Sequence, residues 1–269
     1  MELSIIILKY KSMGLLQQCL KGIILLQLDF EHEVIVIDNA SGDNTGEMIK
    51  KYFPSVKFIQ SQKNLGYGGG VNLGIKAAKG RYLMILNPDI VILTNEIGKM
   101  INYMDEHPQI GILGPKLINP DGSLQYSCYR FPTFFIPFYR RTILGKLPWL
   151  KKKVAHYLMM DWDHTQNREV DWTLGGCWLL RKSAQEKIGL MDERFFMYFD
   201  DVDYCRRVWE AGYKVVYFAG TEIVHYHQRS SAETSLIFGI TRRVVREHIK
   251  SWIKYFAKYF GAPKPNHEK

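Results

Sequence analysis

The chain has 269 residues, of which 46% are hydrophobic, 23% charged and 13% aromatic, with a formal charge of +9 at neutral pH. This is the composition of a globular protein with a substantial core, which excludes disordered and fibrous classes. The positive excess implies an anionic partner, a role that phosphate, nucleic acid or an anionic membrane surface would each satisfy. The cysteines Cys19, Cys128, Cys177 and Cys205 form no Cys-x-x-Cys pair, which argues against a zinc site and for a reduced, cytosolic chain. Met1-Glu2 leads straight into a strand rather than a secretory leader, and no uncharged run reaches membrane-spanning length.

Strands and helices alternate through the first half, which predicts a mostly parallel central sheet flanked by helices. The pattern predicts a strand over 3–8, a helix over 15–26 and a second strand over 33–37. The turn Asp38-Asn39-Ala40-Ser41-Gly42-Asp43-Asn44-Thr45 then caps a helix over 46–52, and a third strand covers 56–59. Next comes Asn64-Leu65-Gly66-Tyr67-Gly68-Gly69-Gly70-Val71-Asn72, opening a helix that runs to Lys79. Its glycines do not fall at Gly-x-Gly-x-x-Gly spacing and no Gly-Lys-Ser/Thr is present, so neither dinucleotide nor P-loop chemistry is supported. What it offers is a turn at a helix N-terminus where a ligand can approach the backbone, or simply a tight turn.

The apolar run Tyr82-Leu83-Met84-Ile85-Leu86 reads as a strand buried on both faces and stopped by Asn87-Pro88-Asp89. Asp89 is thereby delivered to the carboxyl end of a central strand, where open α/β sheets bind ligands, and is a candidate metal or substrate ligand. The competing reading is a turn aspartate capping a helix that begins near Thr94. The Asp38 turn, the glycine loop and Asp89 all fall on the same sheet edge.

In the second half, a strand over 110–117 is joined by the turn Asn119-Pro120-Asp121-Gly122 to the segment 123–128. Asp171-Trp172-Thr173-Leu174-Gly175-Gly176-Cys177-Trp178 leads into an apolar strand, and its paired glycines would let an acceptor lie against the backbone, or merely begin the strand. Tyr198-Phe199-Asp200-Asp201-Val202-Asp203 places three carboxylates within four residues. They read either as the acidic first turn of a helix over 202–211 or as charge wanted at a site, where the aromatic residues of 195–199 would raise a carboxylate toward the working range of a general base. Val224-His225-Tyr226-His227 puts two histidines on one strand face, able to serve a metal, and no His-Glu-x-x-His supports a zinc hydrolase. Arg229 is a candidate diphosphate contact.

Arg242, Arg246, Lys250, Lys254 and Lys258 recur every fourth residue, so they line one face of a C-terminal helix, with Ile249, Trp252, Ile253, Phe256, Tyr259 and Phe260 on the apolar side. A second basic and aromatic segment covers 130–153 and includes Arg141. Together they read as an interfacial contact with an anionic membrane, or as a helix packed on the core with a solvated cationic face. The tail 266–269 is expected to fray.

In the order and spacing of these motifs the chain resembles the family 2 glycosyltransferases of the GT-A fold, and especially their bacterial rhamnosyltransferase branch, from Ser4 to about Ser231. The resemblance implies an α/β nucleotide-diphospho-sugar transferase fold. It divides the chain into a glycosyltransferase domain over 1–231, with a nucleotide-sugar half (1–118) and an acceptor half (119–231), and a C-terminal amphipathic basic helix and tail over 232–269. It implies inverting transfer of a sugar, rhamnose in that branch, from a dTDP- or UDP-linked donor to a cell-surface polysaccharide or polyprenyl-linked saccharide. Tyr10, Asp38, Asn39, Asn64, Gly66, Asn72, Asn87, Asp89 and Arg229 fall at the donor site. Trp172, Gly175, Gly176 and Asp200 fall at the acceptor site, and Asp201 in the position of the general base. Asp89 and His225 would hold a divalent cation, Mg²⁺ or Mn²⁺. Asn87 departs from the family by replacing the first acid of the Asp-x-Asp motif, a weaker ligand for a hard cation. The expected location is cytoplasmic, peripheral on the inner face of the membrane. A sugar-nucleotide pyrophosphorylase is disfavoured because no glycine-rich loop follows residues 3–8. The alternative class is a non-catalytic nucleotide-sugar or membrane-surface binding module. A nucleic-acid binder has only the charge in its favour and no recognition motif.

Overall fold

Leu3–Lys9 (β1) is apolar except at Ser4 and Lys9, yet all seven residues are buried, because the strand lies inside a sheet covered on both faces. The computed structural model describes residues 1–140, 142, 145, 147–226 and 243–265. The expectations placed on Arg141, His227, Arg229, Arg242 and the tail 266–269 lie outside the described residues.

After β1 come α1 (Met13–Leu25), β2 (His32–Asp38), α2 (Thr45–Tyr52), β3 (Lys57–Gln60), α3 (Gly66–Ala77) and β4 (Tyr82–Leu86). Next are β5 (Ile90–Val91), α4 (Glu96–Glu106), β6 (Ile110–Ile118), β7 (Leu124–Gln125), β8 (Cys128–Tyr129), α5 (Ile136–Tyr139) and α6 (Pro148–Tyr157). The chain continues through β9 (Arg168–Glu169), β10 (Trp172–Thr173), β11 (Cys177–Arg181), α7 (Lys182–Ile188), α8 (Asp200–Glu210), β12 (Lys214–His225) and α9 (Arg243–Lys258). The main sheet has the order β3-β2-β1-β4-β11-β6-β12-β5, with β7 added to β6 and β9 to β12, while β10 and β8 form a small separate pair. The first four strands are parallel, as the alternation of strands and helices predicts. β11 runs antiparallel to both β4 and β6, and β12 returns parallel to β6. That reversal positions the site. With Cys177 opposite Leu86, β11 starts at the edge where β4 ends and brings Gly176 beside Asn87 and Gly175 beside Asp201.

Alternation along the strands divides the core in two. Ile6, Leu8, Ile35, Ile37, Ile85 and Trp178 face one layer, with Val71 of α3 and Val208 of α8. Ile5, Ile7, Val36, Met84, Leu86 and Leu179 face the other, with Leu20 of α1 and Met100 of α4.

α9 keeps Arg246, Lys250 and Lys254 exposed, but its cationic row turns inward at Lys258. Lys254 Nζ donates to the Arg194 carbonyl at 2.7 Å, and Lys258 pairs with Asp203 at 2.5 Å and Asp192 at 2.8 Å. Asp203 is fully buried and needs a cation, so Lys258, at the end of the expected row, turns inward. Tyr255 and Ser251 are buried, the Ser251 hydroxyl donates to the Met197 carbonyl, and Tyr255 packs on Phe199 with ring centroids 5.3 Å apart. The helix thus buttresses the acidic segment 198–203.

Candidate active site

At the carboxyl ends of β1 and β2, Lys9 and Asp38 are opposite in register. Lys9 is fully buried, and its ammonium donates to both Asp43 oxygens at 2.5 and 2.6 Å and to Thr45 Oγ1 at 2.5 Å, with Asp38 Oδ1 at 3.5 Å. Burial raises the Asp43 carboxyl, but the hydrogen bonds from Lys9 and Thr45 outweigh it and hold the group below the ordinary carboxylate range. Asp38 Oδ1 accepts from the Ser41 N–H, whereas its buried Oδ2 has no hydrogen-bond partner. Tyr10, beside them, keeps 44% of its surface exposed.

The glycine loop is tied to this edge by amides. Asn39 Nδ2 donates to the Gly66 carbonyl and to Asn64 Oδ1, and Asn39 Oδ1 accepts from the Leu65 N–H. Gly66 has φ of +78°, and a β-carbon there would lie 2.3 Å from the Phe196 carbonyl oxygen, so only glycine permits both the turn and the close approach. Tyr67 N–H donates to that same carbonyl at 2.8 Å, joining the loop to the acidic segment. Asn72, expected at the nucleotide, instead faces away: its amide donates to the Met191 carbonyl and Glu193 and accepts from the Met191 N–H, so its bonding capacity fixes the 191–193 loop.

Asp89 does not cap the following helix. Asn95 does, accepting from the Gly98 N–H. β5 turns back against β12, placing His225 opposite Ile90, and the Tyr226 N–H donates to the Asp89 carbonyl at 2.9 Å. His225 Nε2 then lies 3.4 Å from Asp89 Oδ1, a buried oxygen without a hydrogen-bond partner. His225 Nδ1 meets Gln125 Oε1 at 2.7 Å. Among the described residues no group of three or more His, Cys, Asp or Glu gathers as a metal site. A carboxylate and an imidazole fit a divalent cation that draws its other oxygen ligands from a bound diphosphate. Asn87 sits over Gly176, its Nδ2 2.9 Å from where a β-carbon would stand, and its N–H donates to the Gly176 carbonyl.

The three clustered carboxylates separate in the fold. Tyr198 and Phe199 adopt φ of +67° and +62°, a left-handed pair that turns the chain into α8 and costs backbone strain. Asp203 is neutralised by Lys258 and Arg207 and accepts from the Tyr259 hydroxyl. Asp200 is buried, whereas Asp201 stays partly open. Burial pushes Asp201 up to about 6, moderated by hydrogen bonds from the Val202 and Gly175 backbone, and burial together with the neighbouring Asp201 charge holds Asp200 well above the ordinary range. A β-carbon on Gly175 would stand 3.3 Å from the Asp201 β-carbon, and the Gly175 carbonyl accepts from the Tyr67 hydroxyl at 2.5 Å. The glycine loop, the Gly175 turn and the acidic helix therefore meet at one point.

Trp172, expected beside the acceptor, is a core residue: it stacks on Tyr129 at 4.4 Å between centroids, and its indole N–H donates to the Arg130 carbonyl. Two residues at this edge escape the sequence reading, Lys9 and Gln125, and Tyr67, read only as part of the glycine loop, reaches across to the Gly175 carbonyl. A lysine ending an otherwise apolar parallel strand was the available signal for Lys9. Gln125 gave none, because its partner is 100 residues away.

A mixed α/β sheet with acidic loops gathered at the carboxyl ends of its central strands is the architecture of GT-A glycosyltransferases. The chain belongs to glycosyl transferase family 2, whose family profile matches residues 4–189. It is similar to the N-acetylglucosaminyl-diphospho-decaprenol L-rhamnosyltransferase of Mycobacterium tuberculosis (strain ATCC 25618 / H37Rv), at 31% identity over 74% of this chain and 67% of that one. It is also similar to Rhamnosyltransferase WbbL of Escherichia coli (strain K12), at 25% identity over 87% and 85%. In fold it matches the mannosyltransferase PcManGT from Pyrobaculum calidifontis, solved with GDP-Man and Mn²⁺, with a TM-score of 0.63 and 15% identity over 98% of this chain and 66% of that one.

Proposed function

We propose that this glycosyltransferase moves a sugar with inversion from a nucleotide-diphosphate donor to an acceptor hydroxyl, with Asp201 as the general base. The observation that carries the reading is the Asp201 carboxyl, raised to about 6, partly open and set beside the Gly175 turn. The carboxylate takes the acceptor hydroxyl proton as that oxygen bonds to the anomeric carbon, on the face opposite the diphosphate. The bond from the anomeric carbon to the diphosphate oxygen breaks, and the diphosphate leaves with the electron pair. Tyr10 offers a face for the base, and Asp38 Oδ2, which lacks a partner, accepts a base N–H. Asn64 and Gly66 shape the same pocket and Asn39 fixes their loop, while Arg229, outside the described residues, is the proposed diphosphate contact. Gly175, Gly176 and Asp200 form the acceptor side. Asp89 and His225 would hold Mg²⁺ or Mn²⁺, which when bound supplies positive charge to the leaving diphosphate.

By their names the similar proteins favour rhamnose as the transferred sugar, and the first of them a polyprenyl-diphosphate-linked saccharide as acceptor, with a dTDP- or UDP-linked donor as the proposal carried from the sequence. Exposed Phe135, Trp149 and Phe260, together with exposed Lys151, Lys152 and Lys153, support a peripheral contact with an anionic membrane on its cytoplasmic face. Among the described residues no helix is long and apolar enough to cross a membrane. Thermal midpoints with dTDP, UDP, GDP and ADP, each with Mn²⁺ and again with EDTA, test the donor site. A rise selective for dTDP or UDP and dependent on metal is expected; no rise with any nucleotide would remove the reading.

A further inference from the structure

The hairpin turn after β6 carries hydrogen bonds whose direction is fixed at one end. The Asp121 carboxylate only accepts, and it takes the Ser123 hydroxyl proton at 2.6 Å and the Ser123 N–H at 2.9 Å. With its proton so placed, the Ser123 oxygen accepts from Asn119 Nδ2 at 2.9 Å, which turns Asn119 Oδ1 toward Gln125 Nε2 at 3.0 Å. Gln125 must then present Oε1 to His225 Nδ1, 2.7 Å away. A carbonyl oxygen accepts, so the neutral ring carries its proton on Nδ1 and leaves the Nε2 lone pair beside Asp89 Oδ1. Reversing the two amides would return the Ser123 lone pair to the Asp121 carboxylate, two acceptors 2.6 Å apart.

The frame is rigid where it matters. Gln125 pairs with Leu117 across β7 and β6, Ile118 pairs with Val224 of β12, and Gln125 and His225 are each 3% exposed. Water therefore does not compete for the bond between them.

We infer that Asp121, Ser123, Asn119 and Gln125 form a relay that fixes the tautomer of His225, with Gln125 as the positioning residue that prepares Nε2 to bind a divalent cation opposite Asp89. This rests on the proposed pairing of Asp89 with His225 at the metal. The turn thereby acquires a role beyond joining two strands: it orients a metal ligand from outside the ligand set.

The test uses the full chain with ¹⁵N-labelled histidine, His225 being assigned by comparison with His225→Gln. Imidazole ¹⁵N shifts are read without metal, and Mn²⁺ alone is titrated by loss of its free electron-spin-resonance signal. In the wild-type chain the ring is expected to show Nδ1–H and to bind Mn²⁺. Gln125→Leu should lose the fixed tautomer and bind Mn²⁺ about 10–100-fold more weakly. Gln125→Glu keeps an acceptor at the same place and should hold the wild-type tautomer and stay within a few-fold of wild-type affinity. An Nε2–H ring in the wild-type chain, or unchanged tautomer and Mn²⁺ affinity in Gln125→Leu, would overturn the relay. Failure of the wild-type chain to bind Mn²⁺ would instead overturn the metal pairing on which it rests. Should Gln125→Leu not fold, Asp121→Ala removes the exposed anchor and should loosen the tautomer in the same sense, and an unchanged ring there would equally overturn the relay.

Discussion

Two pairs of aspartates stand at the same sheet edge and are treated in opposite ways. Asp38 and Asp43 surround the buried ammonium of Lys9, and Asp43 is held below the ordinary range. Asp200 and Asp201 have no ion-pair partner among the described residues and are both raised by burial. A carboxylate that binds needs a settled charge; one that takes a proton needs an unsettled one. The first pair is balanced by a cation inside the sheet, and the second is left unbalanced at the mouth of a helix, with the third acid, Asp203, neutralised separately by Lys258 and Arg207.

The strongest way to break this contrast is Lys9→Met, which leaves two carboxylates facing each other without their cation. It should destabilise the fold by about 3–5 kcal/mol in urea unfolding, and a loss under about 1 kcal/mol would contradict the balancing role. Lys258→Met uncouples α9 from Asp203, and with charged hydrogen bonds of about 1.5–3 kcal/mol at stake it should both lower stability and speed amide exchange in α9. Gly66→Ala puts a β-carbon against the Phe196 carbonyl at φ of +78°. It should cost about 1–3 kcal/mol and weaken nucleotide binding, since the loop must withdraw from the acidic segment.

The smallest effect is the most diagnostic of the second pair. Asp201 sits at about 6 in the fold against an ordinary 3.8, so the folded chain holds its proton more tightly than the unfolded chain. Stability is then lost as pH rises through that interval, by at most on the order of 3 kcal/mol. Asp201→Asn should therefore melt a few degrees higher than the wild-type chain at pH 7 and equally at pH 3; a lower midpoint at pH 7 would show that the charge is compensated.

The edge proposed for the donor was legible as a shared edge because it is local. Asp38, the glycine loop and Asp89 each follow a strand end directly, so alternation alone brings them to one edge. What the sequence reading missed depends on register between distant segments. Gln125 meets His225 only because β7 and β12 flank β6, and Trp172 is a core residue only because β10 pairs with β8. Asn72 shares a loop with nucleotide-side residues, yet the helical turn points its amide at Met191. The row of cations on α9 had the right period, but the carboxylates that draw Lys258 inward, buried Asp203 and half-buried Asp192, lie more than fifty residues earlier in the chain.

The central claim is that Asp201 removes the acceptor proton, and the direct measurement is transfer by Asp201→Asn alongside calorimetric binding of the nucleotide diphosphate. The account predicts kcat lowered by at least about 10²–10⁴-fold with nucleotide affinity unchanged, and a wild-type kcat/KM that falls tenfold per pH unit below about pH 6 because the base must be deprotonated. Retained turnover in Asp201→Asn, with the acidic limb still present, would assign the proton to another group and contradict it.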